Sequence, residues 1–209
     1  MENILMDYMK AKALLNDYSI RSVDSTYVNS AQEAINFSKK KPIVLKVLTQ
    51  KALHKSKSGL VELNLKDDVS ISNAYHKLVK KSLGYKPYKI LAQHMVDYKS
   101  DNIEIIIGGR NDPQFGQLVL IGLGGIYVET FKDFTLRVCP INKKDAFSMI
   151  DELKSGHIIA KDKKNRDMIA EILTNVSKLM INNKINELDL NPLILHDNTY
   201  SAVDLRLLI

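Results

Sequence analysis

The 209-residue chain has a single cysteine. A lone Cys139 excludes an internal disulfide framework and fits a reducing compartment, so a cytoplasmic location is expected. With five scattered histidines beside it, no zinc-type cluster can be assembled. Long apolar runs are missing as well. None approaches the ~20 residues of a membrane span, so no membrane is expected as a partner. The opening MENILMDYMKAKALLNDY is an amphipathic pattern with acids and no cleavage site, which does not read as a secretory signal. Glycine is scarce, with 9 in all, yet six fall between residues 108 and 125.

Acids are sparse in the first half. Residues 1–95 hold 16 Lys/Arg and 8 Asp/Glu, a net of +8, whereas residues 96–209 hold 14 and 16, a net of −2. A basic half joined to a slightly acidic one suits a cleft that takes an anion from one side and a metal from the other. Nucleic acid is the rival partner for a basic chain. The lysines, however, are spread over helices and loops without interleaved aromatics, so no nucleic acid is expected and a solvated lysine-rich surface accounts for most of them.

What is present centres on Asn102 to Ile126, NIEIIIGGRNDPQFGQLVLIGLGGI. Two β-branched runs, Ile103 to Ile107 and Leu118 to Ile121, flank the charged turn Arg110 to Gly116. The first run carries one acid, Glu104, and the second opens into Gly122, Gly124 and Gly125. Strand-to-glycine-loop junctions commonly hold phosphates. Read alone, the stretch fits equally well a hairpin with glycines at tight turns.

Before it, helical spacing covers residues 3–17, and a capping pattern opens a second helix at Asn29 to Glu33. Ile43 to Leu48 is a nearly all-apolar strand interrupted by Lys46. A lysine there either snorkels at a sheet edge or meets an anion. A basic loop from Thr49 to Gly59 centres on His54, a strand follows from Leu60, and Asp67 to Lys81 reads as a helix. A connector with Gly84 and Pro87 leads to a strand from Lys89, so the lobe boundary is expected between residues 88 and 89. Two helices, Asn142 to Leu153 and Lys164 to Met180, lie in the second half. The chain closes on a hairpin, Ile185 to Leu195 and Tyr200 to Ile209. It places Glu187, Asp189 and Asn191 at period two and Asp204 on the returning strand. That set is either an exposed polar sheet face or a hard-oxygen site suited to Mg²⁺.

Three segments carry a resemblance: VLKVLTQKALHKSKSGLVELNLK, EIIIGGRNDPQFGQLVLIGLGGIYVETFKDFTLRVCPI, and ELDLNPLIL with AVDLR. In order and over nearly the whole chain, they resemble the ATP-grasp β subunit of ADP-forming acetyl-CoA or acyl-CoA synthetases. The resemblance implies an α/β (α+β) ATP-grasp fold, with residues 1–88 and 89–209 as two lobes and a nucleotide cleft between them. It also implies the reaction acyl-CoA + ADP + phosphate ⇌ carboxylate + CoA + ATP, with Mg²⁺ and ADP/ATP bound here. The implied partner is a CoA-binding α subunit in an α2β2 heterotetramer. By position, Lys46 would contact nucleotide phosphates, Gln93, His94 and Met95 would line the adenine through backbone, and Glu104 would hold the ribose. Asp189, Asn191 and Asp204 would hold Mg²⁺. His54 would carry the phosphoryl group transiently, while Arg110 with Gly122, Gly124 and Gly125 would steady it. Two positions depart from the family's usual His-Lys-Ser-Asp-x-Gly-Gly: Lys57 replaces the acid and Leu60 the second glycine.

Overall fold

Capping residues and β-branched runs lay out the elements in the computed structural model of the chain, which describes residues 4–49, 59–97, 99, 102–125, 133–197 and 199–209. In chain order these residues form α1 (Tyr8–Asp17), β1 (Ser25–Val28), α2 (Ala31–Ser38), β2 (Ile43–Thr49), β3 (Val61–Leu65), α3 (Asp68–Ser82) and β4 (Tyr88–His94). There follow β5 (Ile103–Asp112), β6 (Gly116–Leu123), β7 (Phe134–Val138), α4 (Lys143–Glu152), α5 (Gly156–Ile159), α6 (Lys163–Asn183), β8 (Glu187–His196), β9 (Thr199–Ala202) and β10 (Leu205–Leu208). Chain contacts group them into two compact units, Val23–Asp97 and Met1–Ser22 with Tyr98–Ile209.

The smaller unit is a four-stranded antiparallel sheet in the order β1-β4-β2-β3. Its helices start where side chains satisfy free N–H groups. Ser30 accepts from Glu33 N, and Glu33 Oε2 accepts in turn from Asn29 N at 2.8 Å. Asp67 and Ser70 form a reciprocal box at the start of α3. Ile71, Ala74, Tyr75 and Leu78 of α3 close over Ile43, Leu45 and Val47 of β2 in one apolar core. Leu60, fully buried, belongs to that core, and its carbonyl accepts from Val47 N. The replacement of a family glycine by leucine is therefore a packing residue. Because β4 lies between β1 and β2, residues 88–94 stand in this unit, and the expected boundary at 88/89 differs from the observed grouping.

The larger unit is a six-stranded antiparallel sheet, β10-β8-β5-β6-β7, with β9 paired to one half of β8. Strand alternation sends Ile105, Ile107, Val119 and Ile121 to the buried face. There α6 supplies Ile169, Ile172, Leu173, Val176 and Met180. The first helix joins this unit. It starts at Tyr8 rather than residue 3 because Asp7 caps it, accepting from Met9 N at 3.0 Å. Residues 4–6 run instead as an extended segment along β10, with Ile4 N donating to Ile209 O and Met6 N to Leu207 O. This segment covers an edge that would otherwise present unpaired backbone.

Candidate functional site

Lys46 is the one charged side chain on β2, and it is buried, with 7% exposure. Its register partners are Leu91 and Val61, so it lies mid-sheet rather than at an edge. A buried ammonium is tolerated only with polar groups around it. At the end of β4, Gln93 is fully buried. The N–H groups of the next two residues are already engaged inside the unit: His94 N donates to Asp24 O and Met95 N to Pro42 O, each at 3.0 Å. The His94 ring stacks on Phe37, centroids 4.5 Å apart, and its Nε2 lies 3.1 Å from Phe37 O. Any base read by this strand end is therefore read through carbonyl oxygens, or through N–H groups beyond Met95.

In the larger unit, Glu104 and the glycine loop are built against each other. Gly124 N donates to Glu104 O at 2.8 Å. A Cβ on Gly124 would stand 2.8 Å from the Glu104 carbonyl carbon, so only glycine fits. Gly125 has φ +83, and its side-chain direction points at Glu104 Oε2. Gly122 sits equally close to the Asp133 carbonyl, 2.9 Å from where its Cβ would be.

The terminal hairpin brings its acids together through an irregularity that strand period alone does not show. Ile105 pairs with Leu193 and Ile107 with Leu190, so Ile106 faces both Asn191 and Pro192. This bulge lifts Asn191 to the surface between buried Leu190 and Leu193. The returning chain also breaks in two. β9 pairs with residues 193–196 and β10 with residues 187–190. The break is Val203–Asp204, where Val203 N donates to Pro192 O and Asn191 N to Asp204 O. Asp204 is thereby seated against the bulge. Asp189 is pushed up to about 6 by burial first, then by the Asp204 and Glu187 carboxylates, with Arg206 working the other way. Arg206 stands directly across from Asp189 and pairs with Glu187 at 3.5 Å.

Two carboxylates that repel one another beside a surface amide form a donor set for a hard divalent cation. Among the described residues no group of three His, Cys, Asp or Glu could hold a metal ion. The two-acid-plus-amide set suits Mg²⁺, which takes one or two carboxylates and completes its shell with water and phosphate oxygens.

Of the residues expected from sequence, the fold joins Glu104 with Gly124 and Gly125, and Asp189 with Asp204 and Asn191. It separates Arg110 from the glycine loop. Arg110 pairs with Leu118 while Gly122 pairs with Ile106, four residues apart along the hairpin, roughly 13 Å. Arg110 faces Glu187 instead, at the acidic end of the sheet. His54 and Lys57 lie outside the described residues. Sequence reading missed Arg206, whose signal was its period-two spacing from Asp204, and Asp133, whose carbonyl crowds Gly122.

Comparison with known proteins identifies this geometry. The ATP-grasp domain profile matches residues 2–209, so the two-unit α/β architecture is an ATP-grasp fold. Acetate–CoA ligase [ADP-forming] I subunit beta of Pyrococcus furiosus is 33% identical over 211 residues, covering 96% of this chain and 90% of that one. Dinucleotide-forming acetyl-coenzyme A synthetase 1 of Candidatus Korarchaeum cryptofilum has been solved with coenzyme A, Ca-AMPCP and HgCl⁺. It matches with a TM-score of 0.87 at 32% identity, over 100% of this chain and 93% of that one. Another structure of that synthetase, with coenzyme A and Mg-AMPPCP, has its phosphohistidine segment pointing towards the nucleotide binding site. It matches with a TM-score of 0.82 at 31% identity, over 98% and 92% of the two chains. The chain belongs to the ATP-grasp β-subunit family of ADP-forming acetate/acyl-CoA ligases.

Proposed function

We propose that this chain is the nucleotide-binding β subunit of an ADP-forming acyl-CoA ligase, acting with a CoA-binding α subunit in a cytoplasmic α2β2 heterotetramer. The reaction is acyl-CoA + ADP + phosphate ⇌ carboxylate + CoA + ATP. The observation that carries the reading is the seating of Asp204 against the Asn191 bulge beside Asp189, in a chain of this family. That oxygen set matches the Mg²⁺ of a Mg-nucleotide, and two of its members, Asp189 and Asn191, lie on β8, the strand paired with the β5 that carries Glu104.

Each unit contributes its own groups. From the smaller one, Lys46 neutralises nucleotide phosphate charge, and the backbone of residues 93–95 reads the base. From the larger one, Glu104 accepts hydrogen bonds from the ribose hydroxyls, and Asp189, Asn191 and Asp204 hold Mg²⁺. When bound, the metal neutralises phosphate oxygens as charge shifts between leaving and attacking groups. Gly122, Gly124 and Gly125 bring backbone close to the transferred phosphoryl group. Arg110 stands across from Glu187 on the same sheet, four register positions from Gly122.

His54 is the carrier. Its neutral imidazole attacks phosphorus delivered by the partner subunit, forming a P–N bond as the bond to the partner's carrier breaks. A terminal ADP oxygen then attacks the same phosphorus. The P–N bond breaks, a P–O bond forms, and the imidazole is regenerated neutral. Such transfer needs positioning and charge compensation above all.

The test is reconstitution. The purified chain binds Mg-ADP alone, and ATP formation from acyl-CoA, ADP and phosphate requires the α subunit. Full turnover without a partner would end the subunit reading. Unchanged turnover in the assembled His54→Ala complex would remove His54 from the mechanism and leave a nucleotide-binding module.

A further inference from the structure

Asp133 is used three ways at once. Its Oδ1 accepts from Lys154 N at 2.9 Å and its Oδ2 from Ser155 N at 2.8 Å. Its main-chain oxygen accepts from Leu123 N at 3.1 Å. The same oxygen fills the space where a side chain on residue 122 would stand. One residue thus ties the exit of β6, the entrance to β7 and the turn between α4 and α5. Just beyond it, Thr135 Oγ1 donates to Met149 O in α4 at 3.0 Å, so the start of β7 is pinned to the helical layer a second time. On its other side the glycine loop is held by Gly124 N on Glu104 O. Burial opposes the charge on Asp133, yet the hydrogen bonds from Ser155 and Lys154 hold its carboxyl below the usual range. It therefore remains a full acceptor at neutral pH.

We propose that Asp133 is a positioning residue that fixes the glycine loop, Gly122 to Gly125, in place for phosphoryl transfer. The proposal rests on the reading of that loop as the part that handles the phosphoryl group. Asp133 acts through the backbone of Leu123 and Gly122 and touches no reacting atom. Its loss leaves Lys154 N and Ser155 N without their acceptor and frees the β7 entrance from the α4–α5 turn. The loop then samples positions displaced from the transferred group. Small displacements of this kind are costly to the chemical step and far less costly to ground-state binding.

The test compares two alanine variants in the reconstituted complex with its α subunit. Asp133→Ala removes the clamp. Asp162→Ala removes a hydrogen bond of the same type, the α6 cap to Asn165 N at 2.8 Å, with no connection to the glycine loop. Both should lose similar thermal stability. Well below either melting temperature, Asp133→Ala should lose about tenfold or more in kcat with the KM for ADP little changed, while Asp162→Ala keeps its kcat. Asp133→Asn has the same volume but turns an N–H donor towards an N–H donor, and should also lose kcat; it serves if the alanine variant does not fold. Wild-type kcat in Asp133→Asn, equal losses in the Asp133 and Asp162 variants, or a raised KM with intact kcat each overturn the proposal. A wild-type complex that makes no ATP would instead sink the functional reading, and this inference with it.

Discussion

Replacing Asp189 by Asn should make the metal-free protein more stable while weakening its nucleotide complex. Asp189 stands in burial and beside two carboxylates, which push it up to about 6 from an ordinary value of 3.8. Two pH units correspond to roughly 3 kcal/mol for a group wholly shielded from water. Asp189 is only half-buried, so about 1–2 kcal/mol is the expected share. Its pKa is higher in the folded chain than in the unfolded one. Its contribution is therefore fully present below about pH 4, and it is lost as pH rises through about 6. Asn does not titrate. The stability gap between variant and wild type should be near zero at about pH 4 and complete by about pH 8. For a chain of this size 1 kcal/mol moves Tm by roughly 2–4 °C, so the variant should melt about 2–8 °C higher at alkaline pH. Calorimetry without divalent cations across that range measures the effect. Repeating the pH 8 scan with Mg-ADP at about 100 times its Kd should add about 2.7 kcal/mol to the wild type and much less to the variant. A variant no more stable than wild type at pH 8 without metal would refute the electrostatic argument. Equal stabilisation of both by Mg-ADP would refute the metal-site assignment.

Gly124→Ala forces a methyl group into the Glu104 backbone and should destabilise the larger unit by about 1–3 kcal/mol, seen as a lower denaturant midpoint with unchanged m. Leu60→Gly restores the family's residue but empties a fully buried site, so a loss of about 3–5 kcal/mol is expected; a neutral result would show that Leu60 is not a core residue. Lys46→Met keeps the volume of the side chain and removes its charge. Titration calorimetry should then show Mg-ADP affinity reduced by tenfold or more at retained or raised stability, an expected loss of about 1.4 kcal/mol or more in binding.

The local elements were legible because their causes are local. Ser30 with Glu33 and Asp67 with Ser70 cap their helices with residues three apart, and the apolar run at residues 43–48 has no soluble alternative to a covered strand. The family was legible for a different reason. Glu104, the glycines at 122–125, and Asp189 with Asn191 keep their spacing within short segments, so a linear pattern carries them. Where contact joins residues far apart, spacing was silent. The unit boundary follows the pairing of β4 between β1 and β2, and the capture of α1 by β10 depends on residues 4–6 meeting residues 207–209. A hairpin drawn at strict period two also hides the bulge opposite Ile106, and with it the seating of Asp204.

Sequence alone thus determined which side chains are available, their chemistry, and the segments that hold them a few residues apart. Tertiary structure decided which of them meet. It moved Arg110 away from the glycine loop and toward Glu187, because antiparallel register places residue 110 opposite 118 and 187, not opposite 122. It raised Asp189 by burying it and by bringing in Asp204 from the break between β9 and β10. It also gave Asp133 its three partners, Leu123, Lys154 and Ser155, up to 22 residues away in the chain. Electrostatic and hydrogen-bond energies depend on distance in space, and only the folded register sets those distances.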